Sequence, residues 1–174
     1  AGAVMRAQGR HRGFSLVEAA IASTVLAVIV VSALNAAGRL AQARYDEADR
    51  GRARALADAL VAEIRPKAYT DPQGSTTVLG PDANEGPTRV NYDDVDDYNG
   101  DNESPPVDVD GVAVPSFAGW SRSASVEWVR YVAGDVTTSA TDRGILRVTV
   151  VVKHGDKEMA RRVFLRTSAM DSAR

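Results

Sequence analysis

Glu18 is a carboxylate whose charge is costly to desolvate, because it lies at the start of a long uncharged segment. From Ala19 to Ala37 the chain has about 19 residues without a charge, which is enough to cross the hydrocarbon core of a membrane. An ionised carboxylate beside such a segment is costly to desolvate unless a cation pairs with it. The position therefore predicts a functional carboxylate, and the alternative is a side chain that merely reaches back to the membrane interface.

A second concentration of carboxylates lies in the acidic segment 92–104, where oxygen-bearing side chains crowd into a short polar stretch. Crowded hard oxygen ligands favour calcium. The four candidate calcium ligands, spaced two residues apart, are Asp97, Asn99, Asp101 and Glu103. An EF-hand loop begins with this spacing, but Asn102 stands where that loop needs glycine, and no bidentate glutamate closes it. A less regular calcium site, a solvated loop and an acidic face toward another protein all remain open.

The composition argues against several other kinds of chemistry. The chain has 174 residues, no cysteine and two histidines, so disulfides, thiolate metal sites and cysteine nucleophiles are excluded. A serine–histidine–aspartate site would depend on His154, and no sequence motif supports one. The formal net charge of -2 gives no general reason to expect nucleic-acid binding. The sequence therefore predicts a protein that is not an enzyme and that needs no cofactor, unless the acidic segment binds calcium.

The residues around Glu18 form a motif. The segment 12–18, RGFSLVE, follows a short basic stretch and leads directly into the uncharged segment. It resembles the processing site of the type IV pilin family, which includes type IV pilus subunits and type II secretion pseudopilins. The resemblance covers the first third of the chain and fades beyond it.

The resemblance implies how the N-terminus is processed. Prepilin peptidase would cut between Gly13 and Phe14, remove the basic leader 1–13 and methylate the new amino group of Phe14. Glu18 would become the fifth residue of the mature chain and pair with Phe14 of a neighbouring subunit. The family also implies a single pass through the inner membrane, with the leader in the cytoplasm and the head in the periplasm, and association with a filament after assembly. Arginines lie on both sides of the uncharged segment, so charge bias alone leaves the orientation open.

The remaining sequence predicts an α+β fold in which one long helix packs against a small antiparallel sheet, the lollipop arrangement that the family implies. Segment 14–38 is expected to form a transmembrane and assembly helix. Segment 39–65 continues that helix, because apolar residues recur at helical spacing as far as the stop at Pro66. Segment 66–174 is expected to form a globular head with the acidic segment and a C-terminal antiparallel sheet. A buried core helix and a coiled coil are the alternatives for the two helical halves.

Three strands are predicted near the C-terminus from β-branched and alternating residues, at Ser123–Val132, Gly144–Lys153 and Met159–Thr167. A turn at 154–157 joins the last two as a hairpin. Weaker signals indicate strands at Arg89–Tyr92 and Thr76–Leu79, within a region that otherwise reads as loop. The expected core residues are Trp128, Leu146, Val148 and Phe164, with Trp120 at a sheet edge.

Together these features predict a minor pilin-like structural subunit, with a type II secretion pseudopilus as the first choice. Its expected partners are prepilin peptidase, other pilin or pseudopilin subunits and the inner membrane. The presence of Glu18 argues against the tip pseudopilin, which typically lacks this acid, and the lack of a proline before Pro66 favours a minor over a major subunit. The alternatives are a minor type IV pilus subunit and an exported or membrane-tethered calcium-dependent binding module. The last would be cut by signal peptidase after the uncharged segment.

Overall fold

The computed structural model describes residues 13, 15–74, 78–82, 85–86 and 88–171, and the chain divides into two compact units. The first unit comprises residues 1–46 and the second residues 47–174. One long helix, α1 (Leu16–Ile64), begins in the first unit and ends in the second. The second unit also holds a five-stranded antiparallel sheet, so the fold class is α+β, as predicted.

Helix α1 has 49 residues and presents two kinds of surface along its length. In the first unit its large apolar side chains are all exposed, and none of the residues in its apolar 18-residue window is buried. By length and composition it is the one helix in the described part of the chain that could cross a membrane. The helix ends at Ile64, because Pro66 has no amide hydrogen to donate and disfavours helical geometry at Arg65.

The sheet consists of strands β1 (Asn102–Glu103), β2 (Trp120–Val132), β3 (Asp135–Thr138), β4 (Ile145–His154) and β5 (Lys157–Thr167). Strand β2 is central: it pairs with β1 near its start, with β4 along most of its length and with β3 at its end. In the part of the chain that the structure describes, strand β5 pairs with β4 only. The two-residue turn from β4 to β5 requires φ of 58° at Gly155, a left-handed conformation that glycine adopts without steric cost.

All three predicted C-terminal strands are present, with slightly different ends. The predicted strand at Arg89–Tyr92 is wrong: residues Arg89–Asn91 form a single turn of 3-10 helix. The amide of Tyr92 donates to the carbonyl of Arg89 at 3.2 Å, and this tight turn allows the Arg89 side chain to enter the interior. Of the predicted strand Thr76–Leu79, residues 76 and 77 lie outside the described residues, and Leu79 is not in a strand. Strands β1 and β3 were not predicted, because they are short and largely polar.

The core forms between one face of α1 and the inward face of the sheet. The buried helix residues recur at intervals of three and four, as an amphipathic helix requires: Ala53, Leu56, Ala57, Leu60, Val61 and Ile64. They face the buried residues of β2 and β4, which alternate along each strand: Ala124, Val126, Leu146, Val148, Val150 and Val152. Burying each large aliphatic side chain contributes about 1.5–3 kcal/mol, so this interface stabilises the second unit.

The predicted core residues are found at different depths. Leu146 and Val148 are buried as expected, whereas Trp128 and Phe164 are half-buried and pack against the core from outside. Trp120 is not at an exposed edge: it is only 2% exposed, and its ring stacks on His154 with centroids 4.5 Å apart. His154 therefore has a packing role in the second unit.

Candidate functional site

The first candidate site is the start of α1, where Ser15 and Glu18 bond to each other's backbone. The Ser15 hydroxyl oxygen accepts hydrogen bonds from the amides of Val17 at 3.2 Å and Glu18 at 3.4 Å. In return, the Ser15 amide donates to Glu18 Oε2 at 3.0 Å. This reciprocal arrangement is a capping box, which satisfies amides that the first turn of a helix leaves without partners. The S-x-x-E spacing of Ser15 and Glu18 signals this capping box, which was not among the predictions made from the sequence.

The capping box fixes where Glu18 stands relative to the predicted processing site. The helix begins at Leu16, so Gly13 lies outside it, and a Cβ added to Gly13 would meet no atom within 4 Å. Phe14 lies outside the described residues. Glu18 is exposed in the first helical turn, where the positive end of the helix dipole stabilises a carboxylate. One carboxylate oxygen accepts the Ser15 amide, and because the side chain is exposed the carboxylate is accessible to a cation.

The second candidate site is the acidic segment, where the four predicted calcium ligands face different partners. The Oδ2 atom of Asp97 accepts the amides of Asp93 at 3.0 Å and Asp94 at 3.1 Å. The Asn99 side chain connects two segments: it donates to the Leu79 carbonyl and accepts the Val126 amide. The other two ligands, Asp101 and Glu103, lie against buried arginines. The predicted ligands are therefore not gathered around a common centre, and calcium binding by this set stays a prediction.

Glu103 forms a bidentate ion pair with Arg122 in the interior. The Nε atom of Arg122 donates to Glu103 Oε2 at 2.9 Å, and Nη2 donates to Oε1 at 3.1 Å. The same guanidinium donates to the carbonyl of Leu56 on α1 at 3.2 Å and to the carbonyl of Val107 at 2.6 Å. Both charged side chains are 4% exposed. Arg122 therefore connects β1, the segment after it and the helix.

A second buried arginine, Arg89, completes this network. Its Nε atom donates to Glu63 Oε1 on α1 at 3.0 Å, and its Nη1 atom contacts Glu103 and lies 3.6 Å from Asp101 Oδ2. The hydroxyl of Tyr98 also donates to Glu63. Burial lowers the pKa of Arg122 to about 10 and raises that of Asp101. Two guanidinium groups thus neutralise much of the negative charge of Asp101 and Glu103, two of the four predicted calcium ligands.

The strand pattern could have revealed the first of these arginines. The buried positions of β2 alternate as Trp120, Arg122, Ala124 and Val126, so Arg122 occupies an inward-facing position. A buried charge needs a partner of opposite sign, and the acidic segment is a dense source of carboxylates in the sequence. Asp101 and Glu103 are therefore partners of buried arginines in the structure.

A different group of acidic side chains in the second unit could hold a metal ion. One set comprises Asp71, Asp93 and Asp94, and the other comprises Glu85, Asp93 and Asp97; within each set the carboxylate oxygens lie within 4.8 Å of one another. We call these five residues the acidic cluster. Such oxygen ligands suit calcium or magnesium. Asp97 is the member that the predicted calcium set shares with it.

The acidic cluster also makes proton binding favourable. Burial, and then the neighbouring Asp97, raise the pKa of Glu85 to about 7. Burial, and then Asp96 and Asp97, raise the pKa of Asp94 to about 8. Both pKa values lie above the pKa of about 4 that these carboxyl groups have in the unfolded chain. The folded state therefore binds more protons than the unfolded state between about pH 4 and 8.

We expect the free energy of unfolding of the full-length chain to fall as the pH rises from about 5 to about 8, because Glu85 and Asp94 lose their protons against burial and neighbouring charge. Urea unfolding in an uncharged detergent, followed by tryptophan fluorescence, measures this dependence. Asp94→Asn, which stays neutral, should weaken the pH dependence, whereas the exposed control Asp110→Asn should leave it unchanged. An equal pH dependence in all three proteins would contradict the assignment.

Searches of protein-family models, characterised proteins and solved structures found nothing that matches this chain. The observed architecture is one long apolar N-terminal helix followed by an antiparallel sheet, which is the combination of elements expected of a pilin-like protein. Among the residues that the structure describes, one helix near the N-terminus could span a membrane, which fits a single-pass membrane protein.

Proposed function

We propose that this chain is a minor pilin-like structural subunit of a type II secretion pseudopilus, with no catalytic activity of its own. The observation that carries the proposal is the position of Glu18 in the first turn of an exposed apolar helix, five residues after Gly13. A minor type IV pilus subunit is the alternative within the same class. In either system the expected partners are prepilin peptidase, the inner membrane and other subunits.

The polar residues of the uncharged segment support a membrane location for α1. The hydroxyl of Ser23 donates to the carbonyl of Ala19 at 2.7 Å, and that of Thr24 donates to Ala20 at 2.9 Å. Hydroxyls that bond within their own helix do not need water, so they add little cost in hydrocarbon. The many alanines of this segment also allow neighbouring helices to approach closely.

In this proposal, the pairing of Glu18 fixes the axial position of each subunit relative to its neighbour in the filament. After cleavage, the amino group of Phe14 is largely cationic at neutral pH, since its reference pKa is about 8. A cation and a carboxylate in a low-dielectric environment are each costly alone and favourable as a pair. The carboxylate of one subunit would bind the amino terminus of the next, so that an unpaired subunit in lipid gains by joining the filament. The head would then lie in the periplasm.

Processing gives the first test of the proposal. Mass spectrometry of the N-terminal peptide from the protein's own cells should find a chain that begins at methylated Phe14. Gly13→Leu should leave the precursor uncut, because the peptidase would lose the glycine of its recognition site. The added side chain has open space around it, so a folding defect is not the expected cause.

Gly38→Leu is the matched control, because it makes the same change at another glycine with no atom within 4 Å of an added Cβ. Its processing should be normal. Efficient maturation of the Gly13→Leu variant would remove the peptidase assignment. A chain that begins beyond Ala37 would instead indicate an ordinary exported domain, and the acidic cluster would then be the place to look for function.

A further inference from the structure

A small cavity in the second unit is lined by aromatic, aliphatic and acidic side chains. It has a volume of about 280 Å³ and lies between the segment that follows α1 and the connection from β3 to β4. Its walls include Tyr69, Trp128, Leu146, Asp71, Asp96 and Asp142. No lysine or arginine is among the described residues that line it. We call this feature the acidic cavity.

Hydrogen bonds hold its carboxylates in place. Asp142 Oδ1 accepts hydrogen bonds from the Tyr69 hydroxyl and from the Gly144 amide, the latter at 2.7 Å. Asp96 Oδ2 accepts the amide of Gly80 at 3.3 Å. Because a protein donor holds one oxygen of Asp142 and one of Asp96, these carboxylates are already oriented before a ligand binds.

The surrounding chain carries a large excess of negative charge. Between Tyr69 and Asp101 the sequence has one basic residue, Arg89, and eight acidic residues: Asp71, Asp82, Glu85, Asp93, Asp94, Asp96, Asp97 and Asp101. Glu85 and Asp94, with pKa values raised to about 7 and about 8, contribute less of this charge at neutral pH, and Asp101 lies against Arg89, so the excess comes from the other five. Arg89 is 4% exposed and already paired with Glu63 and Glu103, so it does not offset the charge at the cavity. A face with one sign of charge concentrates ligands of the opposite sign.

We propose that the acidic cavity binds an organic cation of side-chain size, an alkylammonium or guanidinium group on a short apolar stem. Tryptophan and tyrosine attract such cations through the faces of their rings, and Leu146 offers apolar surface to the stem. The volume lies just below the range of about 300–1,000 Å³ that drug-sized ligands need. Calcium prefers six to eight oxygen ligands, so the aromatic walls favour an organic cation here. The proposal does not depend on the proposed assembly function.

The two tryptophan side chains allow a direct test on the full-length chain in an uncharged detergent. Trp128 lines the cavity, whereas Trp120 is buried in the core, so their indole N–H signals in ¹H–¹⁵N NMR spectra serve as reporter and internal reference. The probes are Nα-acetyl-lysine methylamide, Nα-acetyl-arginine methylamide, tetramethylammonium and the uncharged Nα-acetyl-norleucine methylamide. We expect the cationic probes to shift the Trp128 signal saturably, with little change at Trp120 and none from the norleucine probe.

Comparison of the probes distinguishes the two sources of such a cation. Tighter binding of the amino-acid probes indicates a lysine or arginine side chain of another protein, and tighter binding of tetramethylammonium indicates a free small molecule. Asp71→Asn with Asp142→Asn should weaken cation binding by about tenfold or more, since it removes charge at nearly constant volume. Asp110→Asn, an exposed acid outside the cavity, should leave binding unchanged. Equal shifts from the norleucine probe, saturation by calcium alone, or binding that survives the double substitution would overturn the proposal.

Discussion

Glu18→Gln should leave the chain inserted in the membrane and cut after Gly13, yet reduce its incorporation into filaments by at least about tenfold. Removing one partner of a desolvated charge pair typically costs about 2–5 kcal/mol, which corresponds to more than tenfold in an equilibrium. Glutamine is the informative replacement because it can still accept the Ser15 amide and so keep the capping box. The change therefore removes the charge and keeps the cap.

Two further variants separate the cap from the charge. Glu18→Ala removes both and should also block assembly. Ser15→Ala removes the hydroxyl that caps Val17 and Glu18 but leaves the carboxylate, so its filaments should form. The measurement is the fraction of mature subunit recovered in sheared filaments, relative to total mature subunit. Normal assembly of Glu18→Gln together with failure of Ser15→Ala would show that Glu18 acts as a cap, and would reject the charge-pairing mechanism.

Arg122→Met should destabilise the second unit by about 3–5 kcal/mol, the second large effect that we expect. The substitution leaves Glu103 buried without its bidentate partner and removes donors from the carbonyls of Leu56 and Val107. Arg122→Lys should fall between this variant and the wild type, because an ammonium keeps the charge but loses the fork geometry. Urea unfolding of the full-length chain in an uncharged detergent gives the midpoints.

The control for this prediction lies on the same sheet. Arg147 pairs with Glu127 at 2.7 Å, but side chains of both residues are partly exposed. Arg147→Met should therefore cost only about 0–1 kcal/mol, as exposed ion pairs do. Equal losses from Arg122→Met and Arg147→Met would mean that burial of the network contributes nothing, which would contradict the structural role given to Glu103.

The long helix and the C-terminal strands could be predicted from the sequence because each depends on a local pattern. The uncharged run and the spacing of Leu56, Leu60 and Ile64 indicate a helix, and the valines of β4 indicate a buried strand. The segment before β2 has no such period. Its turns are held by hydrogen bonds that the carboxylates of Asp94 and Asp97 accept from backbone amides, so its structure depends on specific partners rather than on a repeating pattern.

The candidate sites also differ in how far the sequence predicts them, because one depends on a local pattern and the other on partners elsewhere in the chain. Glu18 stands out locally, since a carboxylate next to an uncharged run is unusual wherever the chain folds. The partners of Asp101 and Glu103 are distant in sequence: Arg122 lies in β2 and Arg89 lies before the acidic segment. Spacing alone suggested calcium for these acids. Only the fold brings the arginines to them.

Three arginines of the second unit contact α1 within about two helical turns. Arg122 binds the carbonyl of Leu56, Arg162 forms a bidentate pair with Asp58, and Arg89 pairs with Glu63. Force applied along the helix axis would load these contacts side by side in shear, so that they must yield together rather than one after another. A pull on this part of the helix would therefore be resisted by all of these contacts at once.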